Sequence, residues 1–216
     1  MIHEACFVDL TMTYDAWMPG VSFEDTKILS RDGWNAKTLQ IYAHSGTHMD
    51  APHHFGVSDK TINEYHPSDF IGKAHVLRLS INEVSYLISM TDLDPVINKF
   101  EPGDSLLIQS GWSAYLYEQR YRDGLPRISE EVARCLVDHK IKMVGVESPS
   151  VADVNDLEEV TRIHQILMKG DVIIIEGLTN LDQLQEDVCT VFAFPLKIKG
   201  GDGSPARVIA LDGNKE

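Results

Sequence analysis

Cysteine is scarce: the chain has 3 in 216 residues, Cys6, Cys135 and Cys189. They are odd in number, far apart and without a Cys-x-x-Cys step, which excludes a disulfide scaffold, a thiolate zinc site and a dithiol redox motif. Reduced thiols in a cytoplasmic protein are the expectation. Positive charge is short as well, with 19 Lys and Arg against 33 Asp and Glu and a formal net charge of −14. No Lys/Arg cluster interrupts the excess, so a nucleic-acid backbone or an anionic membrane surface finds nothing to hold. Apolar runs never reach the ~18 residues of a spanning helix. The opening MIHEACFVDL has neither the basic nor the apolar region of a secretory leader. Repeats, low-complexity tracts and Ser/Gly linkers are absent too. With 43% apolar and 24% charged residues, what remains is one soluble globular domain over residues 1–216.

Short alternating or continuous apolar runs recur: ACFVDLTM, KTLQIYAH, KAHVLRLS, SLLIQSG, KMVGVES, VIIIEGL, CTVFAFPLKI and ARVIALD. Each predicts a strand. Between some of them lie two helical patterns, Ser129 to Lys140 and Leu157 to Lys169, the second stopped by Gly170. Helices followed by short buried strands predict β-α-β units, and so an α/β domain with a mixed sheet.

Four histidines and an aspartate crowd the stretch AHSGTHMDAPHHF at residues 43–55. A helix would put His44 and His48 on one face but turn Asp50 away, and Gly46 and Pro52 both oppose it. A straight strand would align the even positions yet hold His44 and His48 ~13 Å apart at ~3.3 Å per residue. Nitrogen bonds of ~2.0 Å to one ion are out of reach from there. The chain therefore folds back at Gly46: the strand KTLQIYAH is expected to end at the site, and a tight Ser45-Gly46-Thr47 turn to deliver His48 and Asp50 to the same point as His44, with His53, at odd parity, pointing elsewhere. A single histidine is ordinarily a surface or core residue. Several sharing a carboxylate, without thiolate, fit a reactive Zn, Mn, Fe or Co site better than a closed structural one.

A second segment reads LEEVTRIHQILMKGDVIIIEGLTNL. His164 lies beside the apolar face of Val160, Ile163 and Leu167, where a satisfied core histidine is equally at home. The buried run VIIIEGL ends in Glu176, a carboxylate that must be protonated, paired or metal-bound. The ends of buried strands are where α/β sheets place ligands.

The segment His44-Ser-Gly-Thr-His48-Met-Asp50-Ala-Pro-His-His54 resembles the H-x-G-T-H-x-D-x-P-x-H signature of the cyclase family of metal-dependent hydrolases. Further similarity runs through PGDSLLIQSGW, VGVESPSV, HQILMKGDVIIIEGLTNL and FPLKIKGGDGSPARVIAL. The resemblance implies a compact α/β domain of the swivelling β/α/β type and a homo-oligomer, dimer or tetramer. It also implies two divalent ions, zinc or manganese. His44, His48 and Asp50 would bind one, His164 the second, and Asp50 and Glu176 would touch both. His54 matches the family's catalytic proton donor and acceptor. Where the formamidase branch has Pro-x-Trp-Pro-Gly, this chain reads Asp15-Ala-Trp17-Met18-Pro19-Gly20, so Met18 takes the tryptophan's place. Trp17, Met18 and Phe55 are the expected substrate contacts, with Trp34 and Trp112 as further aromatic candidates.

The implied activity is hydrolysis of an amide bond in a small aryl formamide or cyclic amide through metal-activated water, with Thr47 orienting a ligand. Lactone or isatin-type ring opening, a metal-dependent lyase and a non-catalytic metal-binding module are the alternatives. A serine hydrolase is weaker, since no G-x-S-x-G elbow occurs.

Overall fold

The computed structural model describes residues 7–213. Cys6 and the first residues of the predicted strand ACFVDLTM lie outside the described residues. Twelve strands follow in order: β1 (Phe7–Asp9), β2 (Val21–Lys27), β3 (Ala36–Ile41), β4 (His48–Asp50), β5 (Ile71–Arg78), β6 (Leu87–Ile88), β7 (Ser105–Gln109), β8 (Arg127–Ile128), β9 (Met143–Val146), β10 (Ile173–Glu176), β11 (Val188–Pro195) and β12 (Gly203–Asp212). The helices are two single turns, α1 (Leu29–Asp32) and α2 (Arg120–Asp123), and the longer α3 (Glu130–Asp138) and α4 (Leu157–Lys169).

Eight strands make one mixed sheet in the order β1-β12-β11-β5-β7-β9-β10-β4, and β12 also pairs with β4, closing the sheet into a barrel-like form. The centre, β5-β7-β9-β10, is parallel. Its strands are mostly apolar in their interior because both faces are covered. Leu106, Ile108, Val144, Val146 and Ile174 face α3 and α4, whereas Leu107, Met143, Ile173 and Ile175 face the second core inside the closed sheet. The helices begin where their caps say they should. Ser129 Oγ accepts from Val132 N at 3.2 Å, and Asp156 accepts from Glu158 N and Glu159 N ahead of an acidic first turn.

Two features depart from the expectations. KTLQIYAH does form a strand, but β3 ends at Ile41 and pairs only with β2, in a separate hairpin exposed along most of its length. His44 is therefore delivered by the turn after the hairpin. His48 and Asp50 lie on β4, a strand of three residues and too short for periodicity to reveal. It is clamped between β10 and β12, with Glu176 opposite His48 and Gly203 opposite Asp50.

Candidate active site

Strand alternation sends Met49 into the inner core and turns His48 and Asp50 to the other face. Glu176 ends β10 beside them, and α4 brings His164 over the same point. His44 arrives through the turn at Gly46, whose φ is +61°, the left-handed value expected there. That turn sits against Gly177: a Cβ on Gly177 would lie 2.3 Å from Gly46 O.

The resulting contacts are short. His48 Nε2 lies 3.2 Å from Glu176 Oε2 and 3.7 Å from Asp50 Oδ1. His164 Nε2 is 3.2 Å from Glu176 Oε1 and 3.6 Å from Asp50 Oδ2. His44 Nδ1 is 2.8 Å from Asp50 Oδ1. The far nitrogens of His48 and His164 are anchored to backbone, Nδ1 of His48 to Gly46 O at 3.0 Å and Nδ1 of His164 to Val160 O at 2.7 Å. Donation from Nδ1 to those carbonyls leaves Nε2 of each ring facing the carboxylates. Val151 N donates to Glu176 Oε1 at 2.8 Å, fixing that side chain as well.

Charge follows from this packing. Burial pushes the Glu176 carboxyl up, but hydrogen bonds from His164 and His48 outweigh it and hold the group far below the ordinary carboxylate range. For His48 and His164 burial disfavours the charged form, and the Glu176 and Asp50 carboxylates overcome it, so both are raised. His44 is buried too, yet its bonds to Asp50 and Asp202 push it up to about 9. His54 goes the other way: burial lowers it, the positive charges of His44 and His164 add to that, and the pull of Asp50 and Asp202 does not make up the difference. His54 is thus neutral near pH 7.

These side chains fit a metal. The groups His44, His48, Asp50 and Asp50, His164, Glu176 each bring their ligand atoms within 4.8 Å of one another. Among the described residues no lysine or arginine lies within 4.0 Å of Asp50 or Glu176; their ionic partners are histidines. Two buried carboxylates with only imidazoles for company are costly unless protons or a cation neutralise them. Nitrogen and oxygen donors without sulfur suit a divalent cation held for chemistry.

Above the cluster opens a cleft of about 360 Å³, within the range of small-molecule sites. Trp17, Met18 and Phe55 line it, together with Leu116, Tyr121 and Val160. His54 also lines it, its ring stacked on His44 at 3.8 Å and edge-on to Phe55 at 4.5 Å. His53 is exposed and points away. Two aromatic candidates do not reach the cleft. Trp112 is fully buried and donates Nε1–H to Tyr121 O at 3.0 Å, while Trp34 is 56% exposed near the tip of the hairpin.

The Thr47 hydroxyl bonds to backbone and not directly to a candidate ligand side chain. It donates to Gly177 O at 2.6 Å and accepts from Met12 N at 2.8 Å, so it clasps the histidine turn to β10. Thr47→Val leaves both backbone groups unsatisfied, and about 2 kcal/mol of stability should be lost. At this chain length that lowers Tm by roughly 4–8 °C, measurable by calorimetry; an unchanged Tm would show the clasp to be idle. Asp202 was not among the sequence candidates, although it sits in the Gly-rich turn KGGDGSP. Leu116 and Tyr121 gave no signal, since only tertiary packing carries the 112–123 segment to the cleft.

The fold and this donor set are those of a metal-dependent hydrolase. Residues 8–153 match the sequence model of the Cyclase family, described as "Putative cyclase", and the chain belongs to that family. It is 30% identical over 175 residues to the kynurenine formamidase of Bacillus cytotoxicus, covering 81% of this chain and 79% of that protein. The fold is similar to that of isatin hydrolase A from Ralstonia solanacearum, with TM-score 0.86, 24% identity and coverage of 96% and 92% of the two chains. A structure described as a "predicted metal-dependent hydrolase from Bacillus stearothermophilus" matches at TM-score 0.76 and 26% identity, over 96% of this chain and 98% of that one.

Proposed function

We propose that the chain hydrolyses the carbon–nitrogen bond of a small aryl amide, an N-formyl arylamine or a fused cyclic amide of the isatin kind. The observation that carries this reading is the buried Asp50, Glu176, His48 and His164 cluster at the foot of an aromatic-walled cleft. His44, His48, Asp50, His164 and Glu176 would hold two divalent ions, zinc or manganese. When bound, the cations polarise the substrate carbonyl and acidify water.

The chain's own groups do the rest. Phe55, Met18 and Trp17 bind the aryl ring and exclude bulk water around the carbonyl. His54, neutral near pH 7 and inside the cleft, takes a proton from the attacking water and returns it to the leaving nitrogen. One water is consumed: its oxygen joins the acyl carbon and its protons are shared between the acid and the amine.

A homo-oligomer and a cytoplasmic location belong to the same reading. The first is supported by the apolar Ile28, Leu29, Trp34 and Leu39 left exposed around the hairpin. The second rests on the free buried thiols Cys135 and Cys189. Among the described residues no helix is long and apolar enough to cross a membrane.

The test is turnover of N-formylkynurenine and of isatin, in ¹⁸O-water, by protein loaded in parallel with zinc and with manganese. Label in the carboxylate product is expected. Product without label would move the chemistry to a lyase, and metal binding with no turnover of either amide would remove the amide-hydrolase reading.

A further inference from the structure

Asp202 stands immediately before Gly203, the residue that pairs with Asp50 across β12 and β4. Its Oδ2 lies 3.0 Å from His44 Nε2 and 3.4 Å from His54 Nδ1. The two imidazoles are stacked with their planes 18° apart, so one carboxylate oxygen meets an edge of each ring. Gly203 allows the arrangement, because a Cβ there would come within 2.5 Å of His44 Cε1.

His44 has a carboxylate on either side, Asp50 at Nδ1 and Asp202 at Nε2. A His44 that binds a cation gives up one of its two ring protons, and the neutral imidazole that remains has a single N–H to give. If it goes to Asp50, the nitrogen facing the cluster carries a proton and cannot bind a cation. If it goes to Asp202, Nδ1 presents its lone pair to the cluster. His54 meets the same carboxylate at an ion-pair distance of 3.4 Å rather than in a formed hydrogen bond; an Nδ1–H turned toward Asp202 leaves Nε2 as the ring's only basic nitrogen. His48 and His164 take their tautomers from backbone carbonyls. For His44 the choice lies between Asp50 and Asp202, and for His54 it falls to Asp202.

We propose that Asp202 is a positioning residue that sets the tautomers of His44 and His54 together, accepting Nε2–H from one and Nδ1–H from the other, and so couples cation binding to proton transfer. A carboxylate behind a ligating histidine typically contributes 10- to 100-fold in metal affinity or activity. What distinguishes Asp202 is that it serves a ligand and the proton-transfer group at once. The kinetic half of this proposal rests on the amide-hydrolase reading; the metal half does not.

The test uses full-length protein with Asp202→Ala and Asp202→Glu, and cobalt(II) as the probe. Cobalt affinity is taken from competition with a chelator, its visible absorption reports ligand geometry, and kcat and KM are measured on N-formylkynurenine. For Asp202→Ala we expect affinity about 10- to 100-fold weaker, altered cobalt bands and kcat reduced by at least about 10-fold, with KM little changed. Asp202→Glu, which restores the carboxylate, should recover part of both. Unchanged affinity and bands in Asp202→Ala overturn the proposal, and so does weakened affinity with unchanged kcat. Equal damage in both variants with a lowered Tm would reduce Asp202 to a structural contact. If the wild type turns over no amide, the hydrolase reading has failed, and the cobalt measurements still decide whether Asp202 holds His44.

Discussion

Glu176→Gln should abolish metal-dependent stabilisation and turnover in one step. The substitution keeps the shape of the side chain and removes its charge, and the geometry makes that charge indispensable. Glu176 places one oxygen 3.2 Å from His48 Nε2 and the other 3.2 Å from His164 Nε2, so it is the group that ties β4 to α4. With Asp50 it supplies the negative charge of the cluster, and no basic side chain other than histidine stands within ion-pair reach among the described residues. A glutamine would retain the bond from Val151 N but offer only one acceptor oxygen for two facing imidazoles.

The measurement is a pair of thermal melts and a metal count. Zinc or manganese at 100 times its dissociation constant stabilises the native wild type by about 2.7 kcal/mol, a rise of roughly 5–11 °C in Tm for a chain of this size. Glu176→Gln should show almost none of that rise, should retain less metal after gel filtration, and should lose activity by about 10²- to 10³-fold, the scale attached to a missing electrostatic group in an active site. A variant that still binds metal with the full rise in Tm would take Glu176 out of the ligand set, and the carboxylate would then be a structural partner of His48 and His164.

How much of this was legible in the chain depends on distance along it. The helix at Leu157–Lys169 matched its predicted bounds because Asp156, the acidic first turn and Gly170 are local signals. VIIIEGL read as a buried strand because a run covered on both faces has no polar interruption until Glu176. The histidine cluster was legible for the same reason: His44, His48, Asp50 and His54 lie within eleven residues of one another, and Gly46 marks where they fold back. What stayed hidden is long-range. Asp202 meets His44 across 158 residues, and nothing in KGGDGSP says which histidine it will find. Strand β4 is too short to show a period, and its place between β10 and β12 depends on closure of the sheet. Thr47 sits inside the motif, yet its partners, Gly177 O and Met12 N, lie far along the chain and leave no local signal.

His54→Ala should leave metal content unchanged and lower turnover by about 10²- to 10⁴-fold, the range for removal of a general acid–base group. A rival reading has a specific basis. His44, His54 and Asp202 also bring one ligand atom each within 4.8 Å of one another, so His54 stands close enough to be a ligand. The burial pattern argues for proton transfer instead. His48, Asp50, His164 and Glu176 are almost wholly enclosed, whereas the His54 side chain is 26% exposed and Asp202 46%, and both open onto solvent. Burial and the charges of His44 and His164 keep His54 neutral near pH 7, as an acceptor of protons requires. Metal analysis and kinetics on the same preparation separate the two roles. Two equivalents of metal with turnover nearly gone identify the proton-transfer group, loss of an equivalent makes His54 a ligand, and full activity removes it from the chemistry.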